Sequence, residues 1–173
     1  LGIVGCNNCG HMYNRMYSEE LAQRQYRNEV LSNMPVTKKM FQHLEDIALL
    51  IDDIHWKGKD VLEIGGGVGS FSEILAKQAK SVVMIEPSRG IDIKALERCN
   101  VSVINEFFSS DLIDYQTDFV VCRGVLEYIA DPLSFLDNIY SVMKDNAYLY
   151  LMVPRADFIK DQAILYDFQL NCV

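Results

Sequence analysis

Apolar residues recur along the chain with two different spacings, and the change between them divides the sequence into two regions. Between residues 18 and 57 they recur every three or four positions, which is the spacing of a helix face. Met34-Pro35 interrupts this stretch, and the residue before a proline avoids helical backbone, so two helices are predicted. From residue 60 onward, short apolar runs alternate with segments of helical period.

The second region contains five predicted strands and the helices between them. The strands are predicted at 61–64, 81–85, 101–104, 118–122 and 147–153, and the helices at 70–80, 91–98 and 132–143. The residues of the last helix expected to face inward are Leu133, Leu136, Ile139, Tyr140 and Met143. Short apolar strands that alternate with helices indicate an α/β fold, a Rossmann-like doubly wound and mostly parallel sheet preceded by N-terminal helices.

Length and charge limit the class of protein. The 173 residues are enough for one domain, and the net charge of −8 is a poor electrostatic match for nucleic acid or an anionic membrane. No apolar run approaches the roughly 20 residues that a membrane-spanning helix needs. We therefore expect neither a nucleic acid nor a membrane as partner.

Cysteine usage indicates the compartment. The five cysteines are odd in number and no secretory signal precedes them, which favours a reducing cytoplasm over a disulfide framework. Cys99, Cys122 and Cys172 are expected to be small buried apolar residues.

A glycine-rich turn follows the first strand of the second region. Gly65, Gly67 and Gly69 alternate directly before a predicted helix, which offers unpaired N–H groups at its start. Glycine permits positive φ and lets a ligand approach the main chain closely. Open α/β sheets bind their ligands at this position, past the carboxyl end of a strand. A tight turn that binds no ligand would give the same sequence pattern.

Two acidic residues near the glycine-rich turn limit the chemical class of ligand that could bind there. Glu63 lies in an otherwise apolar strand end, where a carboxylate needs a partner such as a ligand ammonium group. Glu86 ends the second strand, where an acid can accept both hydroxyl groups of a ribose. The phosphate-binding P-loop pattern is absent, and the third glycine comes one residue too early for the nicotinamide pattern.

Three motifs in order give a family resemblance over residues 58–155. Residues 63–69, Glu-Ile-Gly-Gly-Gly-Val-Gly, resemble the E/D-x-G-x-G-x-G loop of class I S-adenosylmethionine-dependent methyltransferases. Glu86 falls where that family carries its ribose-binding acid, and residues 118–132 resemble its fourth strand and following loop. The resemblance implies S-adenosylmethionine as cofactor and methyl transfer to a small-molecule acceptor.

The resemblance also implies which residues bind the cofactor. In chain order these residues are Glu63, Gly65, Gly67, Gly69, Glu86, Pro87, Ser88, Glu106, Phe107, Cys122, Arg123 and Gly124. The first four would hold the methionine part, Glu86 the ribose, and the next four would lie beside the adenine. Gly124 and Tyr128 replace residues that are polar or His in the family pattern, and Glu127 is open to either a structural or a functional role.

Cys6 and Cys9 form a C-x-x-C-G turn near the start of the chain. Two thiolates at this spacing can bind one Zn²⁺, with His11 as a possible third ligand, or they can be two unpaired thiols in a loop. A structural zinc site uses four ligands, and the missing pair is expected before Leu1 if the chain is cut. The turn resembles a methyltransferase branch with an N-terminal zinc ribbon that includes deoxysugar C-methyltransferases, which implies a sugar or sugar-nucleotide acceptor.

The expected division is a partial zinc-ribbon-like turn at 1–17, helices at 18–57, a cofactor-binding domain at 58–155 and the start of a C-terminal region at 156–173. The family fold has seven strands, so the five predicted here indicate a sheet that is incomplete at the C-terminus. No catalytic base is assigned; Tyr166 and Asp167 are the polar candidates near the end, and Tyr13, Tyr17 and Tyr26 are candidates for a lid. A non-catalytic cofactor-binding module of a larger enzyme and an NAD-dependent oxidoreductase remain as alternatives, and the oligomeric state is open.

Overall fold

The computed structural model describes residues 2–28, 34–54 and 56–154. The predictions that concern Val30, Leu31, His55, Tyr166, Asp167 and Cys172 lie outside these residues.

The chain begins with a two-stranded antiparallel hairpin. Strand β1 (Ile3–Gly5) pairs with β2 (Met12–Asn14), and the Cys6–Cys9 turn lies in the connection between them. Asn14 is buried, and its side-chain oxygen accepts hydrogen bonds from the N–H groups of Gly2 and Met16, both at 3.1 Å. These bonds close the base of the hairpin.

Two helices follow, as the helical spacing predicts. Helix α1 is Glu19–Asn28 and helix α2 is Lys38–Leu50, which the Thr37 side chain caps by accepting the Met40 N–H. The buried face of α2 is narrower than the apolar pattern suggests. Its buried residues are Leu44, Ile47 and Ala48, while Met40, Phe41 and Leu50 are exposed.

A buried tryptophan attaches the end of α2 to the rest of the fold. Trp56 is 1% exposed, and its indole N–H donates to the carbonyl oxygen of Ala48 at 3.2 Å. The ring packs in the same apolar cluster as the first sheet strand. This contact fixes the position of α2 beside the sheet.

Five parallel strands form the central sheet. They are β3 (Asp60–Ile64), β4 (Ser81–Ile85), β5 (Val101–Ile104), β6 (Thr117–Arg123) and β7 (Met143–Met152). The order across the sheet is β5-β4-β3-β6-β7, and every neighbouring pair is parallel. This arrangement confirms the predicted doubly wound α/β fold.

Helices cover both faces of the sheet, because side chains alternate along each strand. Helices α3 (Ser70–Ala76) and α4 (Ile93–Arg98) pack with α2 on the face that carries Val61 and Phe119. Helix α5 (Pro132–Ser141) packs on the face that carries Leu62 and Val120. The carboxyl ends of β3, β4 and β6 meet at one edge of this sandwich.

Several predicted boundaries are wrong by a few residues. The helices predicted at 70–80 and 132–143 end earlier, at Ala76 and Ser141, and the last strand begins earlier, at Met143. Leu133 and Tyr140 are 74% and 76% exposed, so they do not face inward; Phe135 and Leu136 pack there beside Ile139. Cys99 is exposed rather than buried, because it follows the last turn of α4.

An ion-pair network lies at the amino ends of the strands. The Asp60 carboxylate accepts hydrogen bonds from Lys80 at 2.9 Å and Ser81 at 2.7 Å, and Lys144 lies 3.0 Å from Asp118 and 3.5 Å from Asp60. Asp118 also accepts the Asp60 N–H at 3.0 Å, so the network joins the starts of β3 and β6.

None of the helices in the described ranges is long and apolar enough to cross a bilayer.

We expect the Asp60→Asn variant to be less stable than the wild type at pH 7, and the difference to shrink in acid. The hydrogen bonds from Lys80 and Ser81 hold the pKa of Asp60 below its ordinary value of 3.8. The charge therefore contributes stability above that value, and the contribution is lost as the pH falls through the lowered pKa. Thermal unfolding followed by circular dichroism between pH 7 and pH 2 tests this.

The matched control is Asp137→Asn, which removes the same charge from the exposed face of α5. A stability loss for Asp60→Asn that stays equally large at pH 2 would show that the charge is not its cause.

Candidate active site

A cavity of about 890 Å³ lies at the carboxyl ends of β3, β4 and β6. The loops that leave these strands form part of its wall, and residues of α1 and α2 form another part. Its position is the one at which open α/β sheets bind ligands.

The glycine loop between β3 and α3 lines the cavity with main chain. Gly65 has φ +74°, and a Cβ there would lie 2.3 Å from Cγ2 of Val125, so the close approach of these two loops requires glycine. Gly67 has φ +60°, and a Cβ there would meet nothing within 4 Å. The main chain at Gly67 is therefore open to the cavity. Gly69 does not line the cavity; it is the N-cap of α3, and a Cβ there would lie 2.4 Å from Cδ2 of Leu96.

Glu63 lies on β3 and is 2% exposed. The hydroxyl of Ser72 on α3 donates a hydrogen bond to its carboxyl group. Burial raises the pKa of Glu63, while the Ser72 hydrogen bond and the positive charge of Arg123 oppose that rise. The sequence analysis expected a ligand group as the partner of the Glu63 carboxylate. The protein itself supplies part of that partner, through Ser72 and Arg123.

Glu86 holds the glycine loop and the end of β4 together. One carboxylate oxygen accepts the Gly67 N–H at 2.9 Å, and the other accepts the N–H of Ser88 at 3.0 Å and the Ser88 hydroxyl. A carboxylate has about four acceptor positions, so three bonds leave capacity for a further hydroxyl donor. Glu86, Pro87 and Ser88 all line the cavity.

Asn105, after β5, is a positioning residue that the sequence did not single out for a role. Its side-chain amide donates to the carbonyl oxygens of Glu86 and Ser88, at 2.7 and 2.8 Å. These bonds fix the turn through Pro87. The sequence did carry a signal for this role: Asn105 directly follows β5, the strand that neighbours β4, and Glu86 directly follows β4.

The two residues predicted after Asn105 have different positions. Phe107 lines the cavity, whereas Glu106 does not. Glu106 instead lies 3.5 Å from the Arg27 guanidinium of α1, which also stacks over the Phe107 ring at 5.1 Å. The structure therefore places Glu106 beside the helix and not in the cavity wall.

The loop after β6 contributes Arg123 and Gly124 to the cavity, but not Cys122. Cys122 is completely buried on the α5 face of the sheet, and burial, with the charges of Glu127 and Glu63, raises its pKa to about 12. The prediction that Cys122 lines the pocket does not match its position, because neighbouring strand residues point to opposite faces. Burial also raises the pKa of Glu127.

The N-terminal segment contributes residues to the cavity wall, among them two of the three tyrosines predicted as candidates for a lid. Tyr17 and Tyr26 line the cavity, whereas Tyr13 does not; it is 40% exposed and stacks on His11. The Tyr17 hydroxyl donates to the carbonyl oxygen of Tyr128 at 3.0 Å. Further lining residues from α2 and the segment before it are Pro35, Thr37, Lys39, Met40, His43 and Leu44.

The cysteine turn does not form a metal cluster within the part of the chain that the structure describes. Cys6 is partly exposed and Cys9 is exposed, and no group of three or more His, Cys, Asp or Glu side chains there could hold a metal ion. His11 stacks on Tyr13 and does not complete a set of ligands with the two thiols.

Comparison with known proteins identifies the family. Residues 33–170 match a family model described as a methyltransferase domain. The match covers more than half of the chain, and with the parallel sheet and glycine loop it shows that the chain belongs to the class I S-adenosylmethionine-dependent methyltransferase family.

Two curated relatives carry the name ubiquinone biosynthesis O-methyltransferase. The protein of Coxiella burnetii is 28% identical over 116 residues, which is 64% of this chain and 48% of that protein. The protein of Histophilus somni is 29% identical over 111 residues, covering 58% and 47%. The chain thus spans about half the length of the curated relatives it matches.

A solved structure shares the fold. The N-methyltransferase NodS from Bradyrhizobium japonicum WM9, in complex with S-adenosyl-L-homocysteine, aligns with a TM-score of 0.62 at 19% identity. The alignment covers 84% of this chain and 77% of NodS. At this identity the likeness describes the fold alone.

We expect Ser72→Ala to lower the free energy of unfolding by about 1–3 kcal/mol, because the buried Glu63 carboxyl group loses its donor. Chemical denaturation at neutral pH measures the loss. Ser102→Ala, at an exposed position of β5, is the matched control and should change stability little. Equal effects of the two substitutions would contradict the importance of the Ser72 hydrogen bond.

Proposed function

We propose that this chain binds S-adenosylmethionine and transfers its methyl group to a small molecule. The observation that carries the proposal is the open main chain at Gly67, held by the Glu86 carboxylate in the wall of a large cavity. A Cβ at Gly67 would occupy the space that a ligand would use. Family membership supports the same reaction class.

The lining residues fit the parts of this cofactor. Glu63 and the main chain at Gly65 and Gly67 would hold the methionine part, and Glu86 would accept a ribose hydroxyl at its remaining acceptor position. Pro87, Ser88 and Phe107 would flank the adenine. When bound, the cofactor supplies an electrophilic methyl group, and the chain's own residues orient it and exclude water.

The acceptor would enter the part of the cavity that α1 and α2 line. An O-acceptor is supported by the names of the curated relatives, and a sugar or sugar nucleotide only by the cysteine turn. We assign no catalytic base. Burial raises the pKa of Tyr17, which already donates its hydroxyl hydrogen to Tyr128, so Tyr17 is a poor base near neutral pH.

Two other functions would use the same cavity. A non-catalytic cofactor-binding module would bind S-adenosylhomocysteine and methylate nothing. An NAD-dependent oxidoreductase would bind NAD instead, and the early third glycine of the loop argues against it.

We also propose the domain division given by the sequence. We further propose a cytoplasmic location, and the four cysteines of the described ranges, which form no disulfide, support that location.

We expect Glu86→Ala to weaken binding of S-adenosylhomocysteine by about 1–3 kcal/mol, because the ribose loses its acceptor and the glycine loop loses its anchor. Titration calorimetry with S-adenosylhomocysteine, and with NAD in parallel, measures the change. Glu97→Ala removes the same charge from the exposed face of α4 and should leave the affinity unchanged.

Wild-type protein that binds NAD tightly and gives no heat with S-adenosylhomocysteine would overturn the proposed function. Transfer of a labelled methyl group to phenolic or sugar acceptors separates the enzyme from the non-catalytic module. An unchanged dissociation constant for Glu86→Ala would make the acid structural only.

We further propose that Cys6 and Cys9 supply two thiolates to a zinc ion whose other ligands come from outside the described residues. The backbone N–H groups of Cys9 and Asn8 lower the pKa of Cys6, as suits a thiolate ligand. Elemental analysis of the purified protein should find zinc, and Cys9→Ser should remove it while S-adenosylhomocysteine affinity stays the same. A zinc content near zero in the wild type contradicts this proposal.

A further inference from the structure

Phe107 lines the cavity but lies outside the apolar core of the fold. Among the described residues, one apolar cluster packs on each face of the sheet, and Phe107 belongs to neither. Its neighbour Phe108 does pack in the core, beside Phe135, with the two ring centroids 5.7 Å apart. The Phe107 ring therefore lacks the core contacts that fix the orientation of a buried aromatic side chain.

Arg27, in the last turn of α1, supplies a contact that the core does not. Its guanidinium carbon lies over the Phe107 ring, 5.1 Å from the ring centroid, which is within the range of a cation–π contact. Arg27 itself does not line the cavity. Its guanidinium group thus covers the ring from outside the cavity, and the part of the ring that faces the cavity stays open to a ligand.

Glu106 holds the guanidinium group in this position. Its carboxylate lies 3.5 Å from Nη2 of Arg27, and Glu106 directly precedes Phe107 in the chain. The two side chains of the ion pair are 55% and 57% exposed, so the pair by itself contributes little free energy. Its effect is geometric, because it ties the guanidinium group to the same loop that carries the ring.

We infer that Arg27 is a positioning residue for cofactor binding and that it acts through the Phe107 ring. The inference rests on the proposed function, which places the adenine beside Phe107, and it adds a contribution from the N-terminal helix. A ring that is already held in its bound orientation loses less conformational freedom when the adenine packs on it. Arg27 therefore raises the affinity for the cofactor without touching it.

The test is a double-mutant cycle between Arg27 and Phe107, measured by titration calorimetry with S-adenosylhomocysteine at one fixed ionic strength. Arg27→Met should weaken binding about twofold to fivefold, the range for a cation–π contact at an exposed site. In a Phe107→Leu background the same substitution should change the dissociation constant no further, because the ring is gone. Arg24→Met, at an exposed position one turn earlier on α1, is the matched control and should leave the affinity unchanged.

Arg27→Lys distinguishes positioning of the ring from general support of the helix. Lysine keeps a positive charge for the ring and for the Glu106 carboxylate, so this variant should bind S-adenosylhomocysteine more tightly than Arg27→Met does. If Phe107→Leu binds too weakly to titrate, this comparison decides. Recovery of affinity supports the inference, and an affinity equal to that of Arg27→Met overturns it.

The outcomes separate this inference from the proposed function. Wild-type protein that does not bind S-adenosylhomocysteine overturns the proposed function and the inference with it. Wild-type protein that binds the ligand, with an Arg27→Met variant of the same affinity, overturns the inference alone. A loss of equal size with and without the Phe107 ring also overturns the inference, because Arg27 would then act by another route.

Discussion

The carboxylate of Glu86 joins two loops whose residues are 19 positions apart in the chain. Its bond to the Gly67 N–H matters because a turn with positive φ leaves the sheet ladder and must find other partners for its backbone groups. Ser88 donates to the other oxygen, and Asn105, which follows β5, donates to the main-chain carbonyl oxygens of Glu86 and Ser88. These bonds hold the loop ends at the cavity wall, and with them the open main chain at Gly67.

The N-terminal segment completes the cavity from a distant part of the chain. The Tyr17 hydroxyl reaches the carbonyl oxygen of Tyr128, which is 111 residues away. At the other end of α1, Arg27 contacts both Glu106 and Phe107. Helix α1 therefore spans the loops after β5 and β6. Residues of this helix, among them Ala22 and Tyr26, form part of the cavity wall.

The two charged side chains at the glycine loop have different support. Glu63 is buried and accepts a hydrogen bond from the Ser72 hydroxyl, whereas Arg123 lies over an aromatic ring, and its buried Nε and Nη1 atoms have no acceptor within the described part of the chain. A fold that needed only stability would pair such groups fully. The unpaired nitrogens of Arg123 depart from this rule, and such departures are expected at binding sites.

The sequence by itself determined the two N-terminal helices, the order of the strands and helices from residue 60 onward and the positions of Glu63 and Glu86, because apolar period, glycine spacing and acidic strand ends are local signals. It did not determine the N-terminal hairpin of β1 and β2. It did not determine which residues face the cavity. Cys122 and Arg123 are neighbours, yet one is sealed in the core and the other lines the site. It also did not show that Tyr140 is exposed or that α1 covers the strand ends. The tertiary structure decided these points, since a side chain's surroundings depend on which elements pack against each face, and those contacts join residues far apart in sequence.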